Sequence, residues 1–277
     1  MTKKIICSDG AWGTELMAKG LKPGECPELW CLEKPDIVKG IVKSYIDAGS
    51  DIIKTNSFGG SRFKLAMYGL ESRASEINEA AARLSKESAG GRKVMASIGP
   101  TGKLLLMEDV TEEELYEAYK TQAIALEKGG ADALCFETMM DVPEAVIGIK
   151  AAKENTGLEV YCTFTFSPVK TGGYRTMMGE TPTSACKAAA AAGADIVGTN
   201  CGGNIWQMVG ITKEIRAALP NTPIMVHANA DPDETPDMMA AGVKDLFAAG
   251  AYIIGGCCGT TPEHIRRIKH IMEEINQ

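Results

Sequence analysis

Ala192-Gly193-Ala194-Asp195-Ile196-Val197 is one of four versions of a single device in this chain. Ala48-Gly49-Ser50-Asp51-Ile52-Ile53, Gly129-Gly130-Ala131-Asp132-Ala133-Leu134 and Ala249-Gly250-Ala251-Tyr252-Ile253-Ile254 follow the same plan. Each reads as a helix end, a glycine cap and the start of a buried strand, the junction expected where a helix returns to a parallel sheet. Their irregular spacing marks a repeated device rather than a solenoid.

Working outward, short β-branched runs alternate with longer helical patterns. Strands are predicted at Lys4–Ser8, Asp51–Thr55, Val94–Ile98, Ala133–Phe136, Val160–Phe164, Asp195–Thr199, Ile224–Ala228 and Tyr252–Gly255. Runs such as Ile5-Ile6-Cys7 and Ile224-Met225-Val226 suit parallel strands buried on both faces. Helices are predicted at Ile37–Ala48, Arg73–Ser88, Glu112–Lys128, Pro143–Glu154, Thr183–Ala192, Trp206–Leu219, Pro236–Ala249 and Pro262–Ile275. The last opens on Thr261 as a cap, with Pro262 and Glu263 in its first turn. An open doubly wound sheet would alternate in the same way, but Ser8-Asp9-Gly10-Ala11-Trp12-Gly13 carries no dinucleotide fingerprint. Eight units in 277 residues predict a closed (β/α)8 TIM barrel, one domain over 1–277.

Composition narrows the function classes. A formal net charge of −7 argues against a nucleic-acid partner, and no apolar run is long enough to span a bilayer. The start, Met1-Thr2-Lys3-Lys4-Ile5-Ile6-Cys7, is too short in apolar residues for a secretory signal, so the chain reads as cytoplasmic. Nine cysteines, an odd and widely spaced set, do not suggest a disulfide framework.

In a barrel the chemistry collects where strands end. Those ends read Asp9, Asn56, Ser97, Glu137, Thr165, Asn200-Cys201, Asn229 and Cys257-Cys258, mostly polar groups leaving apolar strands. Cys201 ends the sixth strand and Cys257-Cys258 the eighth, so three thiols can meet at one rim. Adjacent residues on a regular strand point to opposite faces. Gly255, Gly256 and Gly259 supply the freedom to bend there. A vicinal disulfide or a packed thiol pair is the plainer reading of Cys257-Cys258 alone. Cys201 and the glycine bracket shift the balance to Zn2+ on Cys201, Cys257 and Cys258, with a fourth tetrahedral position open. Three thiolates make a poor activator of water. A substrate thiol in the open position would still lose its proton while staying electron-rich, which suits thiol alkylation.

The other rim residues read as substrate ligands. Asp9 and Glu137 could grip the ammonium of an amino-acid thiol. Equally they could serve as a helix cap and a salt-bridged carboxylate. Ser97, or backbone amides near Gly10 and Ser97, could receive a carboxylate. Asn229 could fill the fourth metal position or stabilise its own turn.

These motifs carry a resemblance. Asp9-Gly10-Ala11-Trp12-Gly13-Thr14-Glu15-Leu16, Thr55-Asn56-Ser57-Phe58, Gly99-Pro100-Thr101-Gly102, Phe136-Glu137-Thr138, Asn200-Cys201 and Gly255-Gly256-Cys257-Cys258-Gly259-Thr260 resemble the homocysteine S-methyltransferase family, in that family's order, from about residue 4 to 275. The likeness is strongest to the homocysteine-binding module of cobalamin-dependent methionine synthases. It implies the barrel, zinc on the three cysteines, homocysteine as acceptor, and Asp9 and Glu137 at its amino-acid end, with Gly10, Asn56, Ser97 and Asn229 around the substrate. Two stretches depart from the pattern: Trp12 stands where methionine is usual, and His227-Ala228-Asn229-Ala230-Asp231-Pro232 replaces Pro-Asn-Ala-Gly. His227 itself reads as a packed core residue.

The chain has three histidines and no Asp-x-His-x-x-Gly corrinoid motif, so a methylcorrinoid donor would arrive on a separate protein. S-methylmethionine or betaine would instead need an aromatic cage, for which Trp12, Phe58, Tyr174 and Trp206 are available. Met139-Met140, Met177-Met178 and Met238-Met239 follow strand ends and read either as loop packing or as a docking surface. Outside this class stand a non-catalytic thiol-binding subunit, a vicinal-disulfide redox protein, and a Schiff-base aldolase built on Lys54.

Overall fold

The computed structural model describes residues 4–277; the first three residues of the amino-terminal stretch read above lie outside the described residues. Eight parallel strands form the barrel: β1 (Ile6–Cys7), β2 (Ile52–Lys54), β3 (Lys93–Ile98), β4 (Ala133–Met139), β5 (Glu159–Phe164), β8 (Ile196–Asn200), β9 (Ile224–Ala228) and β10 (Ile253–Gly256). A small antiparallel ribbon, β6 (Ser167–Pro168) with β7 (Tyr174–Arg175), rises from the loop after β5. The order β1-β10-β9-β8-β5-β4-β3-β2 closes through a single bridge, Ser8 to Ile52. This is the predicted (β/α)8 barrel.

The quoted device builds it. Gly49, Gly130, Gly193 and Gly250 all take left-handed φ near +100°, where a side chain is costly. The next amide in each case reaches back five residues, as in Ala194 N–H to the Ala189 carbonyl at 3.0 Å, which ends the helix. In three of the four, an aspartate follows and joins the neighbouring strand twice. Asp195 N–H donates to the Val160 carbonyl at 2.7 Å, and Asp195 Oδ2 accepts from Val160 N–H at 2.8 Å. Asp132 does the same with Val94, and Asp51 with Cys7. The Asp51–Cys7 pair lies at the seam where the barrel closes. Lys269, Lys86 and Lys153 hold these carboxylates from neighbouring helices.

Most predicted elements stand within a residue or two. The helices Glu112–Lys128 and Pro262–Ile275 match end to end, the latter with His264 Nδ1 accepting the Thr261 N–H at 3.2 Å. The expected helix Pro236–Ala249 is instead two, Pro236–Ala241 and Val243–Ala248. Gly242 divides them, and a Cβ there would press on Ile205 at 2.8 Å.

Side chains alternate across each strand. One set packs between sheet and helices in the main core. The inward set begins with Ile52, Met95, Cys135, Tyr161, Met225 and Ile253, a closed apolar plug. Two residues further along, the same faces carry Lys54, Ser97, Glu137, Thr163, His227 and Gly255. The barrel interior therefore turns from apolar to polar in one step, just below the rim where the strands end.

Candidate functional site

Cys257 and Cys258 leave β10 in a turn. Thr260 N–H and Thr260 Oγ1 both donate to the Cys257 carbonyl, at 3.1 and 2.7 Å. Gly259 has φ of +80°, and a Cβ on it would overlap the Ala230 carbonyl oxygen. Leaving the strand here cancels the alternation that would have sent the two thiols apart. Cys201 follows β8 with φ of +58°, a conformation costing roughly 1–2 kcal/mol for a residue with a Cβ. Its N–H is fixed to the His227 carbonyl at 3.0 Å. Its sulfur lies 3.9 Å from that of Cys258, and all three sulfurs fall within 4.8 Å of one another.

These sulfurs differ from the other six. Burial pushes the thiols of Cys7, Cys31, Cys135, Cys162 and Cys186 far up, and burial with the Glu28 charge raises Cys26 to about 11. Those six are protonated packing residues. Cys201 is instead held far below the usual thiol range, because the thiols of Cys257 and Cys258 beside it favour its thiolate. The Cys201 sulfur in turn pushes those two thiols up. A tetrahedral ion with sulfur at about 2.3 Å needs sulfurs about 3.8 Å apart, so small side-chain movements would let the trio hold one. Asn229 Oδ1, buried and without a hydrogen-bond partner among the described residues, leaves an acceptor oxygen unspent on the same rim.

A cavity of about 490 Å³ opens onto the three cysteines. Asn56, Ser97 and Glu137 line it together with Lys54, which sequence reasoning considered only as a Schiff-base lysine, and with Glu28, which it did not single out. Asp9, Gly10 and Asn229 do not line it. Asp9 is fully buried: its Oδ2 accepts from Lys54 N–H at 2.8 Å and from Trp12 Nε1 at 3.0 Å. Gly10 is wedged against Tyr45 and Thr260, where no Cβ would fit. Asn56 Nδ2 donates to the Pro27 carbonyl at 2.7 Å, tying the loop after β1 to the rim. Ser97 Oγ donates to Glu137 Oε1. Lys54 Nζ lies 3.4 Å from Glu137 Oε2 and 4.0 Å from Asp9 Oδ1. Burial works against the Lys54 charge, yet Glu137 and Asp9 hold its pKa above the usual lysine range. It stays an ammonium, which is not the free amine a Schiff base requires.

His227 is buried with neither ring nitrogen hydrogen-bonded among the described residues, and burial keeps it neutral. Of the aromatic residues considered for a cage, Trp12 and Phe58 line the cavity. Tyr174 packs on the helix Ile205–Ala218 at Gly210, and Trp206 is half exposed. One of the methionine pairs divides between surface and core. Met177 and Met238 are exposed, whereas Met239 is buried; in the third pair Met139 is buried.

Asp9 makes a pH prediction. Burial pushes its carboxyl from 3.8 up to about 6, against the pull of Lys54 and the Lys54 and Trp12 N–H groups. A raised carboxyl contributes stability in full below about 3.8, and loses it as pH rises through about 6. Lowering pH from 7 to 5 should therefore stabilise wild type relative to Asp9→Asn, by at most about 1.4 kcal/mol per pH unit. Urea melts across that range measure it; a constant difference would mean Asp9 stays ionised throughout.

A parallel barrel with reactive thiols and charged groups at its carboxyl rim defines an α/β-barrel enzyme. Residues 6–272 match the homocysteine S-methyltransferase family model, and the chain belongs to that family of methyltransferases. It is 28% identical over 303 residues to the methionine synthase of Mycobacterium tuberculosis, and 27% identical over 302 residues to that of Mycobacterium leprae. Each alignment covers all of this chain and 25% of the relative, so the chain spans about a quarter of those proteins. The fold matches the homocysteine methyltransferase MmuM from Escherichia coli in its metallated form, with a TM-score of 0.81 at 22% identity, over 97% of this chain and 96% of that one.

Proposed function

We propose that this protein, as one barrel domain over 1–277, transfers a methyl group to the thiol of homocysteine to give methionine. Zn2+ on Cys201, Cys257 and Cys258 is the metal of that reading. The observation that carries it is the trio of rim sulfurs within 4.8 Å at the mouth of the charged cavity. Zinc bound there would lower the pKa of a substrate thiol so that it is ionised at neutral pH. The chain's own residues do the rest. Glu137, oriented by Ser97, takes the ammonium of the amino-acid end. Trp12 and Phe58 shield the thiol from water on the open side. Asp9 acts from behind, fixing the Trp12 indole and the Lys54 backbone. A cytoplasmic setting, where thiols stay reduced, suits nine free cysteines.

The donor in this reading is a methylcorrinoid on a separate protein. Met17, Phe58, Leu106, Met107, Met177 and Trp206 are exposed and all belong to segments that follow barrel strands, on the face where the cavity opens. Exposed apolar groups gathered on one face mark an interaction surface. Trp12 and Phe58 in the cavity wall support the second reading, a small sulfonium or quaternary ammonium donor.

The test supplies zinc-loaded protein and homocysteine with a methylcorrinoid-bearing protein, S-methylmethionine or betaine in turn, following methionine. Formation from the corrinoid alone is expected. Formation from either small cation would transfer the assignment to the second reading. No methionine from any of the three would end the methyl-transfer proposal.

A further inference from the structure

We propose that Lys54 is the receptor for the acceptor's carboxylate, so that Lys54 and Glu137 together read an α-amino acid head group on the cavity floor. The inference rests on the thiol-acceptor reading above and deepens it.

Lys54 faces the barrel interior two residues beyond Ile52, which belongs to the apolar plug. Its side chain is 4% exposed, and it lines the cavity. A lysine ammonium has three N–H donors to place. Among the described residues, only Glu137 Oε2 lies within hydrogen-bond reach, at a long 3.4 Å; Asp9 Oδ1 at 4.0 Å offers charge but no hydrogen bond. A buried cation thus turns N–H donors that no protein acceptor takes, among the described residues, toward the cavity. A carboxylate on a ligand can take such donors in charge-assisted hydrogen bonds.

The carboxylates around it are not interchangeable. Asp9 spends Oδ2 on Lys54 N–H and Trp12 Nε1, and Ser8 Oγ lies 3.4 Å from Oδ1. It is sealed from the cavity and balances Lys54 from below. Glu137 borders the cavity and carries the ion pair to Lys54. The floor therefore presents one positive and one negative group side by side, 3.4 Å apart. An α-amino acid carries the complementary pair on atoms attached to a single carbon. An aminothiol without a carboxylate would leave the Lys54 donors unspent and set a second cation against it. A thiol acid without an amine would satisfy Lys54 but leave Glu137 with no new partner.

Calorimetric titration of zinc-loaded protein with homocysteine, 3-aminopropane-1-thiol and 4-mercaptobutanoate separates these contributions. A charge-assisted hydrogen bond in a dry site corresponds to roughly 10- to 100-fold in affinity. Wild type should prefer homocysteine to 3-aminopropane-1-thiol by a factor in that range. Lys54→Gln should remove the preference by weakening homocysteine and 4-mercaptobutanoate alone, and Lys54→Arg should keep it. Equal binding of homocysteine and the aminothiol by wild type would overturn the assignment without any variant being needed. So would a Lys54→Gln protein, folded by circular dichroism, that weakens both equally, since a purely internal ion pair predicts that. If wild type binds none of the three thiols, it is the thiol-acceptor reading that fails.

Discussion

Cys258→Ala is expected to lose the bound metal on dialysis and to bring thiol methylation below detection, while the barrel stays folded. Cys258 is the exposed member of the trio, so its removal opens no core cavity. Its sulfur is nonetheless 3.9 Å from that of Cys201, at one corner of the triangle the three sulfurs make. Altering groups that merely orient ligands costs metal affinity about 10–100-fold, so deleting one of three ligands should cost more than about 100-fold. Two measurements check this. Metal content after dialysis should fall from one per chain to near zero. The rise in melting temperature on adding zinc should be large in wild type and absent in the variant, since a ligand of the native state stabilises by mass action. A variant that keeps one tightly bound ion and its activity would show that Cys258 is not a ligand.

The cysteine trio was legible because strand ends could be placed. Cys201 and Cys257-Cys258 follow apolar runs whose alternation with helices is strong, and the closed barrel brings those ends to one rim. The bend at Cys257-Cys258 was readable from Gly259 beside it. The left-handed backbone of Cys201 was not, because no residue type there announces it. The short helices Trp12–Ala18, Trp30–Glu33 and Arg62–Ala66 escaped because they are too brief for a period to develop. The first of them walls one side of the cavity, through Trp12 and Leu16.

Asp9 shows the limit most clearly. Its place at a strand end was right, but which way its carboxylate turns depends on Trp12 and on the amide of Lys54, from a different strand. The signal for Lys54 was present in the period-two pattern. Ile52 is an inward residue, so Lys54 must be one as well, and a lysine inside a barrel requires carboxylates around it. Asp9 and Glu137 were the available pair. Reading strand ends alone left the pair open between a substrate ammonium and a helix cap with a salt-bridged carboxylate; the structure places Lys54 Nζ 3.4 Å from Glu137 and 4.0 Å from Asp9.

Gly198→Ala should produce the largest loss of stability among glycine substitutions in the barrel wall. Gly198 lies on β8 opposite Met225 of β9. A Cβ added there would overlap the Met225 carbonyl oxygen, and would lie 2.8 and 2.9 Å from the carbonyl carbon and amide nitrogen. All three are backbone atoms in a strand ladder, so no side chain can rotate away. The two strands would have to part where they set the positions of Cys201 and Asn229. Overpacking of this kind costs about 3 kcal/mol or more, corresponding to a fall of roughly 6–12 °C in melting temperature for a chain of this size. Gly40 is the control. It lies inside the helix Pro35–Asp47 with nothing within 4 Å of an added Cβ, so Gly40→Ala should raise stability by roughly 0.5–1 kcal/mol. The pair separates steric conflict from the generic effect of replacing glycine. If Gly198→Ala melted with wild type, the β8–β9 contact would have to be looser than the register Gly198–Met225 requires. Because Cys201 N–H donates to the His227 carbonyl near the end of β9, the same substitution should also weaken metal retention, linking the packing of the wall to the thiols at its rim.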